Sequence, residues 1–404
     1  MTRGDPPDEA GDVSGPRTLV LILSLWAAGL CAAAQFAKVG VPLAEMARAY
    51  PGAGAPLGLA VSLISLLGIA FGLVAGLLVA RIGARAVLLG SLALGAALSF
   101  AQVPLPPLPL LLALRMLEGA SHLGIVVAAP TLIGTLAPPA WRSAAMTLWG
   151  TFFGVAFALV AWAGLPLVDA YGPGALFVAH GTATAAAGLL LFALLPRRVP
   201  IDAAGSGLPS PRDVLERHRA AYASPRTSAP ALGWLFYTFT FVALVTVLPQ
   251  IVPPADRAFV AGAMPLASIV TSMLLGVALL RVVSAVMVVQ IGFALSVIVG
   301  ALLVVLPVTP LLCIALFGAL GLVQGASFAA VPQLNPAPAD QALANGAMAQ
   351  MGNLGNVSGT PVLLAVLAAS GKTTMMGIVI ACYAVAVTVH LALARRRRVA
   401  WPRP

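Results

Sequence analysis

The sequence predicts an all-α integral membrane protein with twelve transmembrane helices in two six-helix, pseudo-symmetric halves. Composition is the first observation behind this. The 404 residues are 60% hydrophobic and only 8% charged, too few charges to cover a soluble fold of that size. Apolar runs of about 20 residues, the length a helix needs to cross a bilayer, recur along the chain. The second observation is an internal echo. Leu117-Glu118-Gly119-Ala120-Ser121-His122 returns as Val323-Gln324-Gly325-Ala326-Ser327-Phe328. Gly76 with Arg81 returns as Gly276 with Arg281, and Ala145-Met146 with Gly150 returns as Ala347-Met348 with Gly352. Three matches in the same order at a nearly constant offset indicate two related halves, the layout of proteins built from membrane repeats around a midplane site. The third observation is the placement of arginine, taken up below.

The first half is expected to span the membrane at 18–41, 55–80, 86–103, 108–136, 144–168 and 175–195. The second is expected to do so at 231–252, 258–280, 282–306, 311–331, 347–369 and 375–394. Helices are the choice because each satisfies its own backbone hydrogen bonds in lipid. Turn chemistry separates them: Pro51-Gly52-Ala53-Gly54, Pro104 to Pro107, Pro138-Pro139, Gly172-Pro173-Gly174 and Pro253-Pro254. Residues 1–17 form a polar tail without the basic region or cleavage site of a signal peptide. Residues 196–230 are a polar linker rich in Arg, Pro and Ser, in which 213–221 can form one short surface helix. It reads either as a solvated linker or as a docking or lipid-headgroup helix. Residues 395–404 are a basic tail.

With the N-terminus inside, cytoplasmic segments hold 17 of the basic residues, and the opposite side holds 3: Arg48, Arg257 and Lys372. This places both termini in the cytoplasm and supports an even number of spans. The expected location is the plasma (bacterial inner) membrane. The same placement excludes a nucleic-acid partner despite a formal charge of +10, since no basic surface is interleaved with aromatics. Cys31, Cys313 and Cys382 each lie within an apolar run and read as small apolar residues. There is no metal-ligand cluster, no Gly-Lys-Ser/Thr phosphate loop and no nucleophile beside a base. The expectation is therefore no enzyme, no cofactor and no ATP.

Two groups of six spans, joined by a basic linker, resemble the major facilitator superfamily. Gly76-Leu77-Leu78-Val79-Ala80-Arg81-Ile82-Gly83-Ala84-Arg85 is similar to that superfamily's signature between its second and third helices. The resemblance implies close helix packing at Gly76 and a gate at Arg81, Gly83 and Arg85. Ala80 stands where the signature has an acid, so the usual charged latch is in question. Arg115-Met116-Leu117-Glu118-Gly119 is similar to the fourth-helix signature, whose arginine the resemblance links to proton coupling. Gly150 and Gly154 resemble the fifth-helix glycine motif of the antiporter branch, but Val155 replaces its proline. This departure speaks against proton-driven drug efflux. The stretch 115–160 resembles the cyanate-permease-like branch.

Glu118 is the one carboxylate expected within the membrane, where an acid is costly and a functional candidate by default. At 100° per residue, Arg115, Glu118 and His122 share one helix face. Two readings stay open: a proton-coupling group with His122 as relay, or a structural ion pair with a capped histidine. Lys38, one turn after Gln35, is either a cationic substrate ligand or a snorkelling lysine. Gln350, Asn353 and Asn356 recur on the eleventh helix, and Gln324 replaces Glu118 in the repeat; these amides bind substrate or join helices. Tyr237 and Trp234 line a cavity or anchor at an interface. His180 and His390 read as structural. Gly68, Gly72 and Gly76, four residues apart, let helices approach closely.

The combined expectation is a secondary active transporter that moves a small organic solute by alternating access. Its partners are the solute, the bilayer and protons, and it is expected to be a monomer. Lys38 and Arg115 against Glu118 leave one positive charge in the membrane, which leans towards an anionic solute. Drug efflux and a non-transporting membrane sensor or scaffold are the alternatives.

Overall fold

The computed structural model describes residues 15–53, 55–197 and 210–400. Arg3, Arg198 and Arg403, most of the expected N-terminal tail and residues 198–209 of the expected linker lie outside them. The described residues contain no strand. Eleven helical stretches among them are long and apolar enough to cross a membrane, and the longest holds two spans. The protein is a multi-pass membrane protein with twelve spans.

In the first half the spans are α1 (Pro16–Gly40), α2 (Ala55–Ile82), α3 (Ala84–Gln102), α4 (Leu108–Leu136), α5 and α6 (Gly174–Leu194). Span α5 is segmented into Pro139–Gly150, Phe152–Leu159, a π turn at Val160–Gly164 and Leu165–Tyr171. Pro166 follows the π turn and brings no N–H to the ladder, a local cause for the wider turn. In the second half α7 is Ser228–Ile251. Span α8 runs through Arg257–Thr271, a π turn at Ser272–Gly276 and Val277–Leu279. Then come α9 (Ala285–Val305) and α10 (Pro310–Leu334). Spans α11 and α12 form one stretch, Pro338–Ala400, broken only at Gly371, whose φ of 77° marks the left-handed region open to glycine. A short helix, Leu43–Ala49, follows α1.

The ends differ from expectation where polar residues enter a buried helix. Span α11 begins at Pro338, nine residues before the expected 347. Its first turns carry Gln341 and Asn345, both buried because α2 and α4 cover them. The linker helix is Pro211–Ala223, longer than 213–221. Ser210 and Asp213 cap it reciprocally, each side chain accepting from the other's backbone N–H.

The echo in the sequence is an echo in space. Gly119 on α4 lies against Ile64 of α2, and its counterpart Gly325 on α10 lies against Ser272 in α8. The halves meet closely near the linker. A Cβ on Gly72 would come within 2.7 Å of the Gly346 carbonyl oxygen. One on Gly76 would come within 2.6 Å of the Ala342 carbonyl oxygen. The spaced glycines therefore pack α2 against α11 of the other half. Hydrogen bonds reinforce this end: Asn345 Nδ2 donates to Thr131 Oγ1 at 3.0 Å, and Gln350 Nε2 donates to the Ile69 carbonyl at 2.7 Å. Tyr222 of the linker helix donates to Gln350 Oε1 at 2.7 Å.

Candidate functional site

Two arrangements stand out: a buried charged cluster within the first half, and a cavity between the halves.

The cluster forms where α1, α3, α4 and α6 converge. Lys38, Arg115, Glu118, Ser99 and Gln102 are at most 1% exposed, and His180 is 6% exposed. The Lys38 ammonium donates to Glu118 Oε1 at 2.6 Å and Ser99 Oγ at 2.9 Å, and lies 3.3 Å from His180 Nδ1. That accounts for all three of its donors. The other carboxylate oxygen, Glu118 Oε2, accepts from Arg115 Nη1 and from Gln102 Nε2 at 3.0 Å. Arg115 spends its remaining groups on backbone, donating to the carbonyls of Ala60 at 2.7 Å and Gln35 at 2.5 Å. His180 Nε2 donates to the Cys31 carbonyl at 2.9 Å, which leaves Nδ1 as the acceptor facing Lys38. Two cations and one anion leave the cluster at +1 with the histidines neutral. Glu118 is the only buried carboxylate among the described residues.

The cavity encloses about 800 Å³ of empty space, its mouth included. Its wall is aromatic: Phe36, Trp149, Phe152 and Phe153 from the first half, Trp234, Tyr237, Phe241 and Phe328 from the second. Tyr237 stacks between Trp234 and Phe241, with ring centroids 4.6 and 4.9 Å away. Polar groups are few and uncharged: His122, Thr238, Gln324, Asn345, Asn353 and Asn356. His122 donates through Nδ1 to the Ala32 carbonyl at 3.0 Å, which leaves Nε2 an acceptor. Its ring meets Phe36 edge-on at 4.9 Å. The internal repeat organises the wall. His122 and Phe328 hold equivalent places, as do Gly150 and Gly352, and all four line the cavity.

The expected site residues divide between these places. Tyr237, Gln324, Asn353, Gly150, Gly154 and His122 line the cavity. Gln324 also joins the halves: its Nε2 donates to the Gly150 carbonyl at 2.5 Å, and its Oε1 accepts from Ser268 at 2.8 Å. Three residues expected from the sequence as substrate ligands lie away from the cavity. Lys38 neither snorkels nor faces the cavity, because Glu118, Ser99 and His180 occupy its ammonium. Gln35 is fully buried and donates to Ser121 Oγ at 2.9 Å. Gln350 belongs to the seal near the linker. His122 does not extend the Arg115–Glu118 pair, since its polar bond goes to Ala32 instead.

At the gate signature, Gly83 turns the chain between α2 and α3 with φ 93°. Arg85 donates to the Phe192 carbonyl at 3.0 Å and lies over that ring. The acid missing at Ala80 is replaced from elsewhere, for Arg81 pairs with Asp213 of the linker helix at 3.0 Å. Sequence reasoning missed this pair, the part His180 plays in the cluster, and most of the aromatic wall. Phe328 had a signal, since it stands at the place of His122 in the repeat.

A family profile described as Major Facilitator Superfamily matches residues 25–360. No curated protein sequence was found to match. Among solved structures, the human organic anion transporter MFSD10 (TETRAN) superposes with a TM-score of 0.77 at 18% identity, over 93% of this chain and 100% of that one. FucP in the outward conformation, the fucose:proton symporter of E. coli, gives 0.75 at 16%, over 93% and 99%. The proton:xylose symporter XylE gives 0.70 at 14%, over 92% and 94%. At these identities the likeness shows the fold alone.

Proposed function

The chain belongs to the major facilitator superfamily, a family of transporters, and we propose that it is a secondary active transporter moving a small organic solute by alternating access, coupled to protons. The observation that carries this is the cavity between two related halves, with the halves held together at the linker end. The arginine distribution supports a cytoplasmic linker and cytoplasmic termini, and on that reading this conformation is closed to the cytoplasm.

The lining describes the solute. Eight aromatic side chains suit an apolar or ring-bearing body, and neutral amides with one imidazole suit its hydrogen-bonding groups. No permanent charge lines the wall. The cluster's single excess positive charge lies one helical turn behind His122, which favours an anionic solute over a cationic one. An organic anion transporter and two proton symporters share the fold, which is consistent with this reading. The cluster would supply coupling, with Arg115 and Glu118 as its fixed pair. A second reading is efflux of a flat hydrophobic compound, which the aromatic wall favours.

A thermal-shift screen of the purified protein against small aromatic acids, neutral amides and hydrophobic amines tests the solute class. A ligand at 100 times its dissociation constant adds about 2.7 kcal/mol to stability. Counterflow of the hit in proteoliposomes tests transport. Stabilisation by amines alone, or a hit that binds without counterflow, would defeat the reading.

A further inference from the structure

We propose that the proton coupled to solute movement is carried by Lys38 rather than by Glu118. This rests on the proton-coupled reading above and names the group within it. Two independent features of the cluster point the same way.

The first is the direction of its hydrogen bonds. Three donors converge on the two oxygens of Glu118: Lys38, Arg115 and Gln102. A proton added to either oxygen would turn an acceptor into a donor that faces a donor. Lys38 differs. Its partners Glu118, Ser99 and His180 all present acceptors, and the Ser99 contact can be reversed, its hydroxyl donating to the lone pair that a released proton leaves.

The second is charge. With the histidines neutral, the cluster carries +1 in a buried setting. Protonating Glu118 raises this to +2, whereas releasing a proton from Lys38 brings it to zero and leaves the Arg115–Glu118 pair balanced. Arginine keeps its charge under any ordinary condition. The charged and polar groups that surround Lys38 are Glu118 and Arg115 on α4, Ser99 and Gln102 on α3, and His180 on α6, with the Phe177 ring beside its ammonium. Cys31 and Gln35, on α1 itself, contribute backbone carbonyls to His180 and Arg115.

The step balances. One Nζ–H bond of the ammonium breaks, and the proton passes to water on the side to which the protein is then open. The neutral amine keeps two N–H groups for Glu118 and His180 Nδ1. Its lone pair accepts from the Ser99 hydroxyl at 2.9 Å, which turns from the Phe177 carbonyl to the amine. Reprotonation from the opposite side reverses the sequence.

The chain suits a direct test with the proton itself as probe. It contains two lysines, Lys38 and Lys372, and four glutamates, Glu9, Glu45, Glu118 and Glu216. Protein labelled with ¹³C at lysine and glutamate, reconstituted in liposomes, is followed by solid-state NMR over the pH range in which it transports. Lys372→Arg assigns the lysine signals by elimination without touching the cluster, and Glu118→Gln assigns the glutamate. The expected result is a pH-dependent shift of the Lys38 Cε signal while the Glu118 Cδ signal stays fixed. A moving Glu118 with a fixed Lys38 overturns the proposal but leaves proton coupling intact. If neither moves, both this assignment and the coupling through the cluster fail.

Discussion

Lys38 and Glu118 meet at 2.6 Å inside the first half, 80 residues apart in sequence and both essentially inaccessible. Their pairing decides how the interior tolerates charge. Removing one partner of a buried pair leaves the other uncompensated, typically at about 3–5 kcal/mol, whereas replacing both with apolar residues can be nearly neutral. We expect Glu118→Ala to lose stability in that range, and the double change Lys38→Met with Glu118→Met to lose less. Unfolding midpoints of the parent, Glu118→Ala and the double variant measure this. A double variant at least as destabilised as Glu118→Ala would count against the buried pair as the source of the cost.

The seal between α2 and α11 makes a steric prediction. Gly76→Val inserts bulk where the Ala342 carbonyl already lies. Overpacking of this kind costs about 1–3 kcal/mol, and here the cost falls on the conformation closed at the linker. Spin labels on α2 and α11 near that end should report longer distances in Gly76→Val than in the parent protein. An unchanged distance distribution would show that the seal yields by other movements.

The Arg81–Asp213 pair makes a pH-dependent one. The backbone N–H of Ser210 and then the Arg81 guanidinium hold the Asp213 carboxyl below the ordinary carboxylate range. Its folded value is depressed, so its contribution is complete above the ordinary carboxylate pKa and fades as pH falls through the depressed value. At neutral pH the pair is intact. Asp213→Asn should therefore favour opening at the linker end at neutral pH, and acid should add little in that variant. The same spin labels, measured at neutral and acidic pH, check both statements.

The cavity makes a fourth prediction. Once a ligand is found, Tyr237→Ala should weaken it by about 1.5–3 kcal/mol through lost apolar burial. His122→Phe should cost about 0.5–1.5 kcal/mol if Nε2 accepts a neutral hydrogen bond. Titration calorimetry on the two variants measures this. Unaltered affinity in both would place the ligand elsewhere.

Orientation gives a fifth. Reporters fused to the C-terminus or inserted in the linker should read cytoplasmic, and one at Gly172 should read external. A cytoplasmic signal at Gly172 would reverse the assignment of sides.

Much of this was legible in the sequence because membrane helices announce themselves by length and hydropathy. The span α4 matches the expected 108–136 to the residue, since prolines bound both its start and its end. The Arg115–Glu118 pair was also legible, because a spacing of three on a helix fixes neighbours. The partner Lys38 was not. It comes from another helix, and periodicity gives the face of a residue but not what packs against that face. Asp213 was hidden for the same reason: the missing acid at position 80 is visible locally, while its replacement lies 132 residues from Arg81. The start of α11 is hidden because Gln341 and Asn345 look like a loop until α2 and α4 cover them.

The stretch from Pro338 to Ala400, whose one residue outside helical φ/ψ is Gly371, would act as a lever with its pivot at that elbow. Gly346, at the seal, lies 25 residues from that elbow, an arm of about 37 Å at 1.5 Å per residue. A tilt of roughly 10° about Gly371 would carry Gly346 roughly 6 Å, on the order of a helix radius with its side chains. A small angular change at the far end of α11 is thus enough to separate two backbones that touch at Gly72 and Gly346.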